Sequence, residues 1–164
     1  MGKEKVSVLD GGFPKWLRER HPTDNQDVIM RDRHFTAEFR EALVKDVTQV
    51  SAASKLGDHE ILDARGPERF LGMAPEPRKG LRSGSIKNSF CLPFSELINE
   101  DHTFVTKDKI MEKFKSFKFD HDKNIVFSCG SGVTASVLAL AYSLINAKYM
   151  PTIYDGSWAE YGKN

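Results

Sequence analysis

The residues that could do chemistry lie in one stretch, Ile125-Val-Phe-Ser-Cys-Gly-Ser-Gly-Val-Thr-Ala135. A thiol attacks as its thiolate, and converging N–H groups at a helix amino terminus lower its pKa from about 8.5 into roughly 3.5–7.5. The apolar run Ile125–Phe127 reads as a buried strand. Gly130 and Gly132 then allow a tight turn, and a helix is expected from Val133. That order sets Cys129 at a strand's carboxyl end and a helix's amino end, where backbone donors are unpaired. The amides of Gly130, Gly132, Val133 and Thr134 form the expected anion-holding nest. Ser131 and Thr134 add hydroxyl donors. We read Cys129 as a nucleophile whose pocket also suits a sulfur-bound anion such as a persulfide; the alternative is a structural cysteine at a strand end.

Four arginines, Arg65, Arg69, Arg78 and Arg82, crowd the region beyond Glu60-Ile-Leu-Asp63. A guanidinium grips a carboxylate through a planar two-pronged fork. Pro75 and Pro77 stiffen the approach to Arg78. These arginines could instead pair with Asp63, Glu68 and Glu76, at about 1 kcal/mol or less for each exposed pair. Cys91 lies in the apolar Ser-Phe-Cys-Leu-Pro-Phe and reads as an inert buried thiol. The five histidines, His21, His34, His59, His102 and His121, lack metal-ligand spacing and read as loop residues. No metal and no cofactor is expected, since no glycine-rich dinucleotide fingerprint occurs.

The elements around these residues alternate. Strands are expected at Val6–Leu9, Glu60–Asp63, within Ser85–Leu92, at Ile125–Phe127 and at Thr152–Tyr154. Helices are expected within Thr36–Ala53, where Phe35, Phe39, Leu43 and Val47 recur at spacing four, and at Lys107–Phe117 and Val133–Asn146. Short helical turns are expected at Glu68–Leu71 and Phe94–Leu97. Strands alternating with helices predict an α/β fold with a parallel sheet, whose ligands collect at the strands' carboxyl ends. Asp63-Ala-Arg65 and Cys129 both fall at such ends.

One unit recurs. Val6-Ser-Val-Leu-Asp-Gly-Gly-Phe is echoed by Thr152-Ile-Tyr-Asp-Gly-Ser-Trp158: apolar strand, Asp-Gly, a small residue, an aromatic, then a short helix. A strand and a helix alone make no core. Residues 1–20 are therefore expected to be the last strand and helix of a preceding domain, 21–45 a linker, and 46–164 the catalytic domain.

Composition narrows the function. The chain has 164 residues, is 40% hydrophobic and carries a formal charge of +1, which gives no sign of binding to nucleic acid or an anionic membrane. No apolar run approaches the roughly 18 residues of a membrane helix. Two cysteines are too few for a disulfide framework, so a reduced compartment, cytoplasmic or mitochondrial, is expected. A phosphatase with the same strand–loop–helix nucleophile needs an arginine six residues after the cysteine; that position is Ala135.

Cys129-Gly-Ser-Gly-Val-Thr-Ala135 resembles the active-site loop of 3-mercaptopyruvate sulfurtransferases, in the rhodanese superfamily. Gly130-Ser131 stands where thiosulfate-specific rhodaneses usually carry Arg-Lys. Asp63-Ala-Arg-Gly-Pro-Glu-Arg-Phe-Leu-Gly-Met-Ala-Pro-Glu-Pro-Arg78 is similar to the stretch supplying that family's two substrate arginines, which fall on Arg69 and Arg78. Tyr154-Asp-Gly-Ser-Trp158 resembles the family's closing strand and turn. Ser85-Ile-Lys-Asn-Ser89 departs from the family's His-Ile-Pro-Gly-Ser.

The resemblance implies a rhodanese-like α/β domain with a mainly parallel sheet of about five strands covered by helices on both faces. It implies sulfur transfer from 3-mercaptopyruvate through a Cys129 persulfide, with Ser131 handling a proton, pyruvate released, and cyanide or a thiol such as thioredoxin as acceptor. Thiosulfate transfer would be secondary. The competing expectation is a sulfur-carrier or binding module, inactive or weakly active without its partner domain. The N-terminal remnant is a further expected surface for association.

Overall fold

The computed structural model describes residues 2–3, 5–32, 34–118, 120 and 123–163; His121, read above as a loop histidine, lies outside them. Their order is α1 (Gly12–Arg18), β1 (Val44–Lys45), α2 (Val47–Leu56), β2 (His59–Asp63), α3 (Pro67–Phe70), β3 (Ser89–Cys91), α4 (Lys107–Lys115), β4 (Asn124–Ser128), α5 (Val133–Ile145), β5 (Thr152–Tyr154) and α6 (Ser157–Tyr161). Single 3₁₀ turns occur at Glu41–Leu43 and Phe94–Leu97.

The five strands form one sheet in the order β1-β5-β4-β2-β3, and every pairing is parallel. Strand alternation divides the core into two layers. Leu62, Ile125, Phe127 and Cys129 face Ile110 and Phe114 of α4 and Leu138 of α5. Ile61, Val126 and Tyr154 face Val50 of α2 and Trp158 of α6. With both faces covered, β4 reads as an unbroken apolar run.

From β2 the chain moves outward to β3, whereas from β4 it moves the other way to β5. The connections therefore diverge between adjacent β2 and β4, which opens a crevice at their carboxyl ends. Asp63 and Ser128 are paired there. The loop after β2 brings the arginines and the loop after β4 brings Cys129.

Two expectations are corrected. The helix expected within Thr36–Ala53 is confined to Val47–Leu56, and residues 36–40 have no regular structure. Asp46 starts the helix through a capping box: it accepts from the Gln49 amide at 2.8 Å, and Gln49 accepts from the Asp46 amide at 3.1 Å. Ahead of it, Val44–Lys45 pair with Ile153–Tyr154 at the sheet's edge, so the spacing-four run of Phe35, Phe39 and Leu43 marks no helical face. Val6–Leu9 is no strand either; its side chains are mostly exposed, and among the described residues no strand pairs with it. The helix after it does form, and Asp10 accepts from the Phe104 amide at 2.9 Å.

The turn that departs from the family's pattern is well held. Asn88 stands where the family carries glycine and takes the left-handed φ of 58°, which asparagine tolerates better than most residues. Its side chain donates to the Ser54 carbonyl at 2.9 Å, and Ser54 Oγ donates to the Lys87 carbonyl at 2.6 Å. Asn88→Ala should therefore cost roughly 2 kcal/mol. Asn88→Gly, which keeps the backbone and loses only the side-chain bond, should cost roughly 1 kcal/mol. Urea denaturation of the two variants checks the order.

Candidate active site

Cys129 follows the last residue of β4, and its residue surface is 1% exposed. The loop after it is shaped from behind by α6. In the first turn of a helix the N–H groups have no partner within the helix. Here the Trp158 and Ala159 amides donate to the carbonyls of Cys129 and Gly130, both at 2.9 Å. In a planar trans peptide, C=O and the following N–H point in opposite directions. Carbonyls drawn towards α6 therefore turn the Gly130 and Ser131 N–H groups away from it, and the Ser131 amide reaches Cys129 Sγ at 3.4 Å.

Ser157 completes the frame. Its Oγ accepts from the amides of Cys129 (3.0 Å) and Gly132 (3.1 Å) and donates to the Tyr154 carbonyl at 2.7 Å. One proton and two lone pairs are all a hydroxyl has, so the 4.0 Å separation from Cys129 Sγ is a contact and not a further bond. Ser157 is fully buried and holds φ at 48°, a strained value for a side chain with a Cβ. The matching residue of the N-terminal copy is Gly12, at φ 56°. Sequence reasoning passed over Ser157. The signal was there: where one copy has glycine the other has serine, so a hydroxyl is kept against backbone strain.

Gly132 begins α5 at φ 83°, and a Cβ on it would stand 2.7 Å from the Asp155 carbonyl oxygen. Burial on its own would raise the Cys129 pKa. The Thr134 hydroxyl and the amides of Ser131, Ala135 and Thr134 outweigh it and hold the thiol below its ordinary value. The nest thus includes the amides of Ser131 and Ala135, which sequence reading did not count, whereas the Gly132 amide, which it did count, is turned to Ser157 Oγ. Val133 is exposed. Cys91, by contrast, is pushed up to about 11 by burial and the nearby Asp63 carboxylate, and its thiol donates to the Arg65 carbonyl at 3.3 Å.

The arginines divide. Arg65 is buried: it meets Asp63 at 2.7 Å and Glu76 at 2.7 Å, and its guanidinium lies 4.5 Å from the Trp158 ring centre. Arg82 covers the same ring at 4.7 Å. Arg69 meets the other oxygen of Glu76 at 2.5 Å and approaches the Cys129 loop: a Cβ on Gly130 would stand 3.0 Å from Arg69 Nη2. A side chain at 130 would make the Arg69 guanidinium give way by a few tenths of an ångström. Arg78 is exposed and meets no described residue through a hydrogen bond or ion pair.

The profile of the Rhodanese-like domain matches residues 46–164. The chain belongs to the rhodanese-like family. It is 38% identical over 161 residues to 3-mercaptopyruvate sulfurtransferase of Escherichia coli (strain K12), covering 98% of this chain and 57% of that protein. It is 34% identical over 181 residues to the mitochondrial thiosulfate/3-mercaptopyruvate sulfurtransferase 1 of Arabidopsis thaliana, covering 98% of this chain and 48% of that one. The crystal structure of SseA from Escherichia coli, a 3-mercaptopyruvate sulfotransferase, superposes with a TM-score of 0.79 at 36% identity, covering 94% of this chain and 57% of that one. This rhodanese-like chain therefore spans about half the length of the relatives it matches. Among its described residues no helix is long and apolar enough to cross a membrane.

Two substitutions probe the loop. Thr134→Val removes the hydroxyl donor and should move the pH midpoint of iodoacetamide alkylation at Cys129 upward, towards that of an ordinary thiol. Gly132→Ala adds both a clash and a strained φ, and should cost at least about 2 kcal/mol in denaturant unfolding.

Proposed function

We propose that this chain transfers sulfur from 3-mercaptopyruvate through a persulfide on Cys129. The observation that carries the reading is the convergence of the Thr134 hydroxyl and the loop amides on a buried sulfur held below its ordinary pKa, with Arg69 alongside. Those donors stabilise a negative charge on sulfur before and after transfer.

In the proposed reaction, Arg69 holds the substrate carboxylate and Arg78, exposed and unpaired among described residues, takes the keto oxygen. The Cys129 thiolate attacks the substrate sulfur. The carbon–sulfur bond breaks, and its electron pair goes to carbon as the pyruvate enolate, which takes up a proton. In this reading the Ser131 hydroxyl relays that proton. The outer sulfur then passes to cyanide or to an attacking thiolate, such as that of thioredoxin, and the Cys129 thiolate is regenerated. Gly130-Ser131, standing where thiosulfate-specific rhodaneses usually carry Arg-Lys, favours the mercaptopyruvate donor over thiosulfate.

We further propose that residues 1–20 close a preceding domain of the same kind and that 21–45 link it to the catalytic unit. Val6, Val8, Leu9 and Phe13 expose more than half of their surface, which suits association there.

Mass spectrometry after incubation with 3-mercaptopyruvate should show one added sulfur atom on Cys129, absent in Cys129→Ser. No gain would leave a binding module in place of an enzyme. Arg69→Ala should raise KM roughly tenfold or more with a smaller change in kcat, through loss of a charge-assisted pair. Arg78→Ala should act in the same direction; unchanged kinetics would remove either residue from substrate binding.

A further inference from the structure

We infer that Glu76 is a positioning residue that pins one edge of the Arg69 guanidinium so that the other edge faces the incoming anion beside the Cys129 loop. This rests on the reading of Arg69 as the residue that holds the substrate carboxylate.

A guanidinium has two edges able to grip a carboxylate: one formed by Nε and an Nη, the other by the two Nη groups. Glu76 occupies the first. Its Oε1 accepts from Arg69 Nε at 3.3 Å and its Oε2 accepts from Arg69 Nη2 at 2.5 Å. The second edge is left open: no hydrogen bond from Nη1 to a described residue is made. That open edge borders the loop, since Nη2 and Nη1 stand 3.0 and 3.9 Å from where a Gly130 Cβ would lie.

Glu76 can do this because it is itself fixed. Its side chain is 1% exposed, against 29% for Arg69. Its Oε1 also accepts from Arg65 Nη1 at 2.7 Å. Arg65 is in turn locked by Asp63 through three contacts of 2.7 to 3.1 Å and by the Gly84 carbonyl at 2.8 Å. Arg65 also stacks on Trp158, whose amide holds the Cys129 carbonyl. Arg69 and the loop are thus referenced to one rigid cluster. Burial alone would raise the Glu76 pKa, but Arg69 and Arg65 hold it below the usual carboxylate range, so it stays a charged acceptor at neutral pH.

Coulomb attraction alone gives the opposite expectation. Glu76 is a negative charge close to an anion site, and removing it should strengthen the pull on an anion. If Glu76 instead sets the edge that Arg69 presents, removing it should weaken recognition. The probe is a pair of alkylating reagents of nearly equal size, anionic iodoacetate and neutral iodoacetamide, each reacted with Cys129. Their rate ratio within one protein cancels any general change in thiol reactivity.

In E76Q the iodoacetate-to-iodoacetamide ratio should fall roughly tenfold, the loss of one charge-assisted hydrogen bond. In E76D, which keeps the charge but is too short to reach both arginines, it should also fall. KM for 3-mercaptopyruvate should rise in both with kcat less affected. A ratio that rises in E76Q and is unchanged in E76D would show that Glu76 merely neutralises Arg69, and would overturn the inference. An unchanged ratio in both would overturn it as well. The parallel variant R69A separates the two layers: if R69A leaves the ratio at the wild-type value, the carboxylate-holding role of Arg69 fails and the inference falls with it. A fall in R69A without a fall in E76Q and E76D rejects the inference alone.

Discussion

The shape of the Cys129 loop hangs on a single buried oxygen. Ser157 Oγ accepts from the amides of Cys129 and Gly132 and is anchored by its own proton on the Tyr154 carbonyl. Around it, the first turn of α6 draws the loop's carbonyls backward, so the remaining N–H groups converge on sulfur. A left-handed serine costs about 1–2 kcal/mol in backbone strain. Without the hydroxyl, two buried amides would stand unpaired, at about 1–3 kcal/mol each. The second cost exceeds the first, which explains why a serine persists at a conformation that the N-terminal copy gives to glycine.

A second constraint is electrostatic. Asp63, Arg65, Glu76 and Arg69 alternate in sign from the end of β2 to the rim of the loop. Burying such groups costs desolvation free energy that the pairing only partly offsets. Removing any one member leaves an unmatched charge behind, so the cluster stands or falls as a unit. Its members come from the end of β2 and the loop after it, and its anchor, Trp158, from α6. The divergence of the connections at β2 and β4 is what brings those segments to the same end of the sheet.

Much of this was legible in the sequence. The glycines after Cys129, between an apolar run and a helix, announced the strand–turn–helix loop around the thiol, and short apolar strands alternating with helices announced a parallel sheet. What misled was apolar spacing without a start signal. Phe35, Phe39, Leu43 and Val47 mimic a helical face, while the Asp46 and Gln49 capping box, which sets the boundary, is a local hydrogen-bond pattern. Val6–Leu9 has strand composition, but a strand exists only through a neighbour. Glu76, between two prolines, reads as a surface acid; its burial comes from Arg65, which lies eleven residues away. Ser157 was visible only by comparing the two Asp-Gly units residue by residue.

The Ser157 hydroxyl, by fixing the loop, is what lets the loop's donors hold the Cys129 thiol below its ordinary pKa. Ultraviolet titration of the thiolate in wild type and in Ser157→Gly tests it, since glycine accepts the left-handed backbone without strain and removes the hydroxymethyl group that holds the two amides. Cys129→Ser provides the blank. The thiolate midpoint should rise in Ser157→Gly towards the range of an ordinary thiol. A midpoint unchanged from wild type would contradict this role of Ser157.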